Sequence, residues 1–333
     1  MKYLDEYRDP EIAKSLIEAL RNRSYSGGEV RLMEICGTHT VSIFRSGLRQ
    51  LLPAAVKLIS GPGCPVCVTS NEDIDRAIWL AKQPGVIITT FGDLVRVPGS
   101  TSSLNFERSM GADVRIVYAS LDALQIARDN PDRQVVFIGI GFETTAPTVA
   151  AAVKQASLTG VDNFSVFSAH KLLPPAMRAL LDAREVKLDG FLCPGHVSIV
   201  IGAGAYQEVV DKYKVPCVIT GFEPLDILLG ISTVVEQVES GRAEVVNQYR
   251  RAVTREGNTA AMRIIDEIFE PTDTTWRGIG LIEKSGLGFR PEWKSFDASS
   301  RFSMPEIHVK EHPGCRCGDV LRGVMEPPEC GLF

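Results

Sequence analysis

The stretches VRLMEICGTHT, residues 30–40, and VKLISGPGCPVC, residues 56–67, share one plan. Each begins with a short apolar run, continues into a glycine loop that carries cysteine, and is followed by apolar residues at helical spacing. Short apolar runs that alternate with amphipathic helices are typical of parallel strands covered on both faces. The plan recurs as far as about residue 230, so we predict an α/β fold with parallel sheet.

The periodicity gives eight strands with helices between them. The predicted strands cover residues 30–35, 56–60, 86–90, 114–118, 135–140, 164–168, 188–192 and 217–220. The predicted helices cover residues 11–21, 40–51, 71–82, 121–129, 145–156, 174–183, 200–211, 224–239, 234–255 and 260–269. Residues 271–333 are rich in glycine and proline and predict a looped tail that carries late cysteines.

The eight strands divide into two sets of four around residue 120. The sequence Gly-Phe-Glu occurs at 141–143 and again at 221–223, each time between a predicted strand and a predicted helix, which favours this division. We therefore predict two small parallel-sheet α/β domains, residues 26–120 and 121–229. Residues 1–25 and 230–333 would form a third, mostly helical and loop-rich domain.

Composition excludes several classes of protein. The chain has 333 residues, 44% apolar and 23% charged, which is ordinary for a globular protein. With 36 basic and 41 acidic residues its net charge is −5, which argues against general affinity for nucleic acid or acidic membranes. The sequence shows no apolar signal core and no apolar run long enough to span a membrane, so we expect a cytoplasmic protein without membrane or nucleic-acid partners.

The cysteine motifs are the strongest chemical signal. In a reducing compartment, clustered cysteines are more often metal ligands or redox thiols than structural disulfides. Cys36 and the pair Cys64 and Cys67 follow neighbouring predicted strands, so they should share one edge of a sheet, where α/β proteins place their functional residues. The pair could be a dithiol switch or a soft-metal clamp, and a buried turn of small residues is the plainest alternative. Structural zinc is disfavoured because no second C-x-x-C lies at zinc-finger spacing, whereas three thiolates with an open position suit a bound iron or a catalytic metal better.

Other reactive residue types also follow predicted strands. His39 could ligate metal, donate a proton or cap a helix, and Glu143 could accept a proton, meet a partner or complement a helix N-terminus. For Cys193 and His196 core packing or loop hydrogen bonding is favoured, and Cys217 should be a core residue. Motifs of P-loop nucleotide sites, zinc proteases and serine hydrolases are absent, and the dinucleotide fingerprint is incomplete.

Six motifs together resemble one family. They are CGTHT at 36–40, GPGCPVC at 61–67, GFETTAP at 141–147, CPGHVS at 193–198, GFEP at 221–224 and CRCGDVLRG at 315–323. In this order they are similar to the HypD family of [NiFe]-hydrogenase maturation factors, and they run through nearly the whole chain.

The resemblance implies a scaffold on which iron acquires two cyanides and one carbon monoxide, the Fe(CN)2CO fragment, before transfer to the hydrogenase large subunit. It implies a HypC-type small chaperone, whose N-terminal cysteine shares the iron, and a HypE-type protein that delivers cyanide. By motif match, Cys36 would be the main iron ligand, and Cys64 and Cys67 would be iron-associated or redox thiols. His39 and Glu143 would support them near the iron.

The family also implies a [4Fe–4S] cluster with ligands spaced as C-x14-C-x6-C-x16-C. Cys315 and Cys330 match the first pair, the given sequence ends at Phe333 before the other two, and Cys317 falls outside the pattern. Four thiolates are the usual requirement, so we expect the cluster in the full-length family rather than from these 333 residues alone.

Two other functions remain open at this stage. One is a thiol–disulfide oxidoreductase in which an iron–sulfur cluster feeds Cys64 and Cys67. The other is an interaction module whose loops only bind partners.

Overall fold

The computed structural model describes residues 7–25, 27–307, 309 and 313–332. The strands there are β1 (Val30–Glu34), β2 (Val56–Ser60), β3 (Val86–Thr90), β4 (Val114–Ile116), β5 (Gln134–Gly139), β6 (Phe164–Ser168), β7 (Gly190–Pro194), β8 (Cys217–Thr220), β9 (Val245–Asn247), β10 (Phe269–Trp276) and β11 (Gly280–Phe289). The helices are α1 (Pro10–Arg21), α2 (Gly37–Arg45), α3 (Leu48–Leu51), α4 (Pro65–Val68), α5 (Asn71–Ala81), α6 (Leu104–Ser109), α7 (Ser120–Asp129), α8 (Ala146–Leu158), α9 (Leu173–Ala183), α10 (Gly195–Ile201), α11 (Gln207–Tyr213), α12 (Pro224–Glu239), α13 (Thr259–Ile268), α14 (Ala298–Arg301) and α15 (Cys317–Arg322). The predicted α/β class is confirmed, and each predicted strand is present as one of β1 to β8.

The first sheet joins distant parts of the chain. Its strand order is β2-β1-β7-β8-β9, and every pairing is parallel. β1 lies between β2 and β7, with Val30 opposite Val56 and Leu32 opposite Gly190. From β1 the chain continues to β2 on one side, whereas from β7, on the other side of β1, it continues away to β8. The direction of the strand order therefore reverses between β1 and β7. Parallel α/β sheets usually bind ligands at the carboxyl ends of the two strands at such a switch point.

The second sheet has the order β4-β3-β5-β6 and is also parallel. The sheets therefore do not follow the expected division near residue 120. The first sheet combines β1 and β2, from residues 26–120, with β7 and β8, from residues 121–229. In the second sheet, β3 and β4 from the earlier range pair with β5 and β6 from the later range. Periodicity along the chain identifies strands, but the order of strands depends on tertiary packing that periodicity does not record.

Residues 269–289 form an antiparallel hairpin of β10 and β11, so the prediction of a looped tail from residue 271 is wrong there. Trp276 is fully buried in this hairpin, and its indole N–H donates to Ser285 Oγ at 2.8 Å. Thr, Asp and Gly interrupt the apolar alternation of both strands, so the sequence does not show the alternating pattern that predicts a strand. The third region is therefore part sheet rather than mostly helical.

The helix predicted over 234–255 is also wrong. α12 ends at Glu239, and the chain then adds the short edge strand β9 to the first sheet. Helix α13, at Thr259–Ile268, is present where a helix was expected over 260–269.

One hydrophobic cluster connects the two sheets and the hairpin. It includes Met33 and Ile35 at the end of β1, Phe142 after β5, Cys193 on β7, and Trp276. This cluster lies beneath the carboxyl ends of the strands, so it supports the loops that carry the chemical motifs. In the described part of the chain, none of the helices has the length and apolar character that a membrane crossing requires.

Candidate functional site

Two cysteine loops meet at the edge of the first sheet. Cys36 is the residue before α2 and Cys64 is the residue before α4. The backbone N–H of Gly37 donates to the carbonyl of Gly63 at 3.1 Å, which joins the loops directly. A Cβ placed on Gly63 would lie 2.0 Å from the Cys36 nitrogen, so only glycine permits this approach. A Cβ placed on Gly37 would lie 3.6 Å from Cys64 Cβ, so Cys64 lies beside the residue that follows Cys36.

Cys64 and Cys67 form a free thiol pair on one turn of helix. The Cys67 N–H donates to Cys64 Sγ at 3.4 Å, and Cys67 is exposed. Donation from the Cys67 thiol lowers the pKa of Cys64 to about 6, although burial opposes this shift. The same contact, with burial, raises the pKa of Cys67. At neutral pH one proton is therefore shared by two sulfurs, and Cys64 carries the thiolate.

Cys36 differs from this pair because it is buried. Burial raises the pKa of its thiol, while the N–H groups of His39 and Thr38 at the start of α2 act in the opposite direction. A neighbouring carboxylate, Glu34, raises the pKa of Cys36 further. The thiol therefore keeps its proton until a cation replaces it.

Glu34 is a site residue that sequence analysis missed. It is fully buried at the end of β1, and its carboxylate accepts hydrogen bonds from Thr40 Oγ1 at 2.9 Å and Ser60 Oγ at 2.5 Å. Burial raises its pKa to about 7, against the effect of these donors. A charged residue at the end of an apolar strand, two residues before a cysteine motif, was the available signal.

His39 points away from Cys36. Its ring is fully buried, and its Nε2–H donates to the carbonyl of Gly221 at 2.9 Å, which fixes that tautomer. Burial lowers the pKa of His39 to about 4, so the ring is neutral. It packs on Phe222 at 4.8 Å between ring centroids, and His196 also stacks on Phe222, at 3.9 Å. His39 thus ties α2 to the end of β8, a positioning role.

Glu143 lies after β5, on the second sheet, and the structure does not bring it into contact with the cysteine loops. Its side chain is 3% exposed, Oε1 accepts from the Leu173 N–H at 2.9 Å, and Oε2 is buried without a hydrogen-bond partner. Burial raises the pKa of Glu143 to about 7. The expectation that it acts beside the cysteines stays a prediction.

Cys193 and Cys217 are fully buried core residues, as expected.

The late cysteines lie near the pair on α4. Helix α15 begins at Cys317, and Gly318 packs so closely on Gly278 of the hairpin turn that a Cβ on Gly318 would lie 2.4 Å from the Gly278 carbonyl oxygen. The hairpin residue Arg277 donates to the Thr69 carbonyl at 2.9 Å. The hydrogen bond with Cys64 raises the pKa of Cys67, and burial raises the pKa of Cys317; the positive charge of Arg277 opposes both shifts.

These cysteines do not by themselves fit an iron–sulfur cluster. Cys315 and Cys317 are exposed, and Cys330 is half-buried. Such a cluster normally takes four thiolates, and residues 313–332 provide three. Across the described ranges, no three His, Cys, Asp or Glu side chains are arranged to hold a metal ion.

A groove of about 780 Å³ opens beside the cysteine loops. The hydroxyl residues Thr40 and Ser60 line it, as do Phe44 of α2 and Val324 after α15. The Phe44 side chain is 81% exposed, which is unusual for a large apolar residue.

Comparison with known proteins gives one consistent family. The family model HypD, described as "Hydrogenase formation hypA family", matches residues 11–333. The chain is 47% identical to the hydrogenase maturation factor HypD of Escherichia coli (strain K12), covering 100% of this chain and 91% of the relative. It is 46% identical to hydrogenase maturation factor HypD2 of Bradyrhizobium diazoefficiens and 47% to HypD of Azotobacter vinelandii, covering this chain completely and 90% of each relative.

Gly63→Ala tests the contact between the loops. The added Cβ meets backbone atoms of residues 35 and 36 that cannot move aside, so the loops must separate and expose the Cys36 thiol. We expect Cys36 to react with iodoacetamide at least about tenfold faster, measured by peptide mass spectrometry. Gly27→Ala is the control because its Cβ meets nothing within 4 Å. Equal Cys36 reactivity in Gly63→Ala and the native chain would show that the loops do not constrain this thiol.

Glu143→Gln tests the buried carboxyl. The pKa of Glu143 is about 7 in the folded chain against an ordinary value of 4.5, so its contribution to stability is complete below pH 4.5 and is lost as pH rises through 7. The variant should lose less stability between pH 5 and pH 8 than the native chain, by on the order of 2 kcal/mol. Urea unfolding at both pH values measures this, and parallel curves for the two proteins would contradict the assignment.

Proposed function

The chain belongs to the HypD family of hydrogenase maturation factors, and we propose that it is the scaffold that holds iron while the Fe(CN)2CO fragment is assembled. In this proposal iron is the substrate, Cys36 is its main ligand, and Cys64 and Cys67 are iron-associated redox thiols. The reducing cytoplasm is the compartment in which all eight cysteines would stay free, as they are here.

The observation that carries the proposal is the contact between the two cysteine loops. The bond from Gly37 to Gly63 brings a buried thiol and a thiol pair to one sheet edge. Thiolates are soft ligands that suit ferrous iron, and cyanide and carbon monoxide favour its low-spin state. A site with few protein ligands leaves coordination positions open for these small molecules.

The same scarcity of ligands supports the participation of other proteins. Since no three metal-binding side chains are preassembled in the described residues, iron held at Cys36 needs donors from elsewhere. We propose that a HypC-type small chaperone supplies one through its N-terminal cysteine, that a HypE-type protein delivers cyanide, and that the hydrogenase large subunit is the indirect recipient. The groove beside Thr40 and Ser60 offers a partner access to this edge.

The thiol pair can supply reducing equivalents. When Cys64 and Cys67 form a disulfide, they release two electrons and two protons, counted from the dithiol. Because the pKa of Cys64 is about 6, the Cys64 sulfur is a reactive thiolate at neutral pH. This observation also favours the second candidate function, a thiol–disulfide oxidoreductase linked to an iron–sulfur cluster.

Cys36→Ala tests the scaffold proposal. Removing the main ligand should lower the iron retained by the complex with the small chaperone at least about tenfold, because even second-sphere changes cost 10–100-fold in metal affinity. Metal analysis and the infrared bands of cyanide and carbon monoxide measure it. Cys217→Ala, which removes a buried thiol of the core, is the matched control. Unchanged iron and bands in Cys36→Ala would defeat the proposal.

Cys64→Ser separates the two candidate functions. We expect alkylation of Cys64 in the native chain to have a midpoint near pH 6, and the variant to lose that reactive thiolate. If hydrogenase maturation then fails in Cys64→Ser but proceeds in Cys36→Ala, the oxidoreductase function is favoured. Failure in both variants, with iron lost only in Cys36→Ala, agrees with the scaffold.

A further inference from the structure

We propose that Glu34 is the positioning residue of the iron site, which holds Cys36 in place against the Cys64 loop. The inference rests on the proposed function for the identity of the metal, but the positioning itself concerns the metal-free chain. None of the motifs that identified the site includes this residue.

The contacts of Glu34 reach all three parts of the site. Its carboxylate accepts from Thr40, which lies one helical turn after Cys36 on α2, and from Ser60, the last residue of β2 before the Cys64 loop. Its backbone carbonyl accepts from the Gly61 N–H at 2.8 Å. The N–H of Cys36 also faces the carboxylate. One side chain therefore links the strand before Cys36, the helix after it and the loop opposite it.

Burying the Glu34 carboxylate costs free energy unless each hydrogen-bond donor is aligned with one of its oxygens. Glu34 is fully buried, and neither carboxylate oxygen is without a partner. No basic side chain lies within ion-pair distance of it in the described structure, so hydroxyl and backbone donors compensate for most of its burial, and the more distant charge of Arg49 adds to them. Such a network tolerates little displacement, and the backbone N–H of Cys36 takes part in it.

Glu107 provides a matched comparison. It is also buried, at 8% exposure, and it bonds to a serine, Ser102, and to Lys82. It belongs to α6 beside the second sheet, and no contact connects it to the cysteine loops. Replacement of either glutamate by glutamine removes one buried, hydrogen-bonded carboxylate, but only Glu34 should affect Cys36.

The test compares Glu34→Gln, Glu107→Gln and the native chain. An amide presents N–H groups where Thr40, Ser60 and the Cys36 N–H need an acceptor. Since a hydrogen bond to a charged group is typically worth a factor of ten or more, Cys36 should react with iodoacetamide about tenfold faster in Glu34→Gln. Glu107→Gln should leave this rate unchanged even if its melting temperature falls equally. Equal rates in Glu34→Gln and the native chain, or an equal increase in Glu107→Gln, would overturn the proposal.

Milder variants cover the case in which Glu34→Gln does not fold. Ser60→Ala and Thr40→Val each remove one donor to the carboxylate and should also accelerate the reaction of Cys36; no acceleration in either would overturn the proposal. In the complex with the small chaperone, Glu34→Gln should shift the cyanide and carbon monoxide infrared bands, and Glu107→Gln should not. Iron retained in Cys36→Ala would instead refute the proposed function, which keeps the two failures distinct.

Discussion

The site depends on one backbone hydrogen bond, from the Gly37 N–H to the Gly63 carbonyl. It forms because β1 and β2 are adjacent and parallel, so that their carboxyl ends and the loops that follow lie side by side. Gly63 leaves no space for a side chain against the backbone of Cys36. Sheet topology thereby brings two cysteine motifs that are separated along the chain to one edge of the sheet, with their loops in contact.

The charges of this group match its proposed task. Cys36 keeps its proton through burial, Cys64 gives up its proton more readily, and burial keeps His39 neutral while its bond to Gly221 holds the ring in place. Glu34 adds a buried carboxylate, and Arg277 of the hairpin lies near the thiol pair. The centre is therefore rich in acidic and soft donors, which suits a cation such as ferrous iron. It is also incomplete as a metal site, which suits an iron atom that must be passed on to another protein.

Local features of the sequence predicted the elements but not their assembly. The runs at 30–35 and 56–60 are periodic enough to identify β1 and β2, and the glycine loops behind them placed Cys36 and Cys64 at one edge. Strand order was not predictable, because nothing in the pattern of residues 190–194 shows that β7 pairs with β1. The hairpin was missed because its polar residues interrupt the alternation. Glu34 was missed because a carboxylate in a strand gains its role only from Thr40 and Ser60, which tertiary structure supplies.

A crystal structure of the chain with ferrous iron, with anomalous scattering recorded at the iron edge, tests the central claim most directly. We predict an iron peak within bonding distance of Cys36 Sγ, in the space between the loops at 36–37 and 61–67. Iron bound only near Cys315, Cys317 and Cys330, with Cys36 left inside the protein and unliganded, would contradict it.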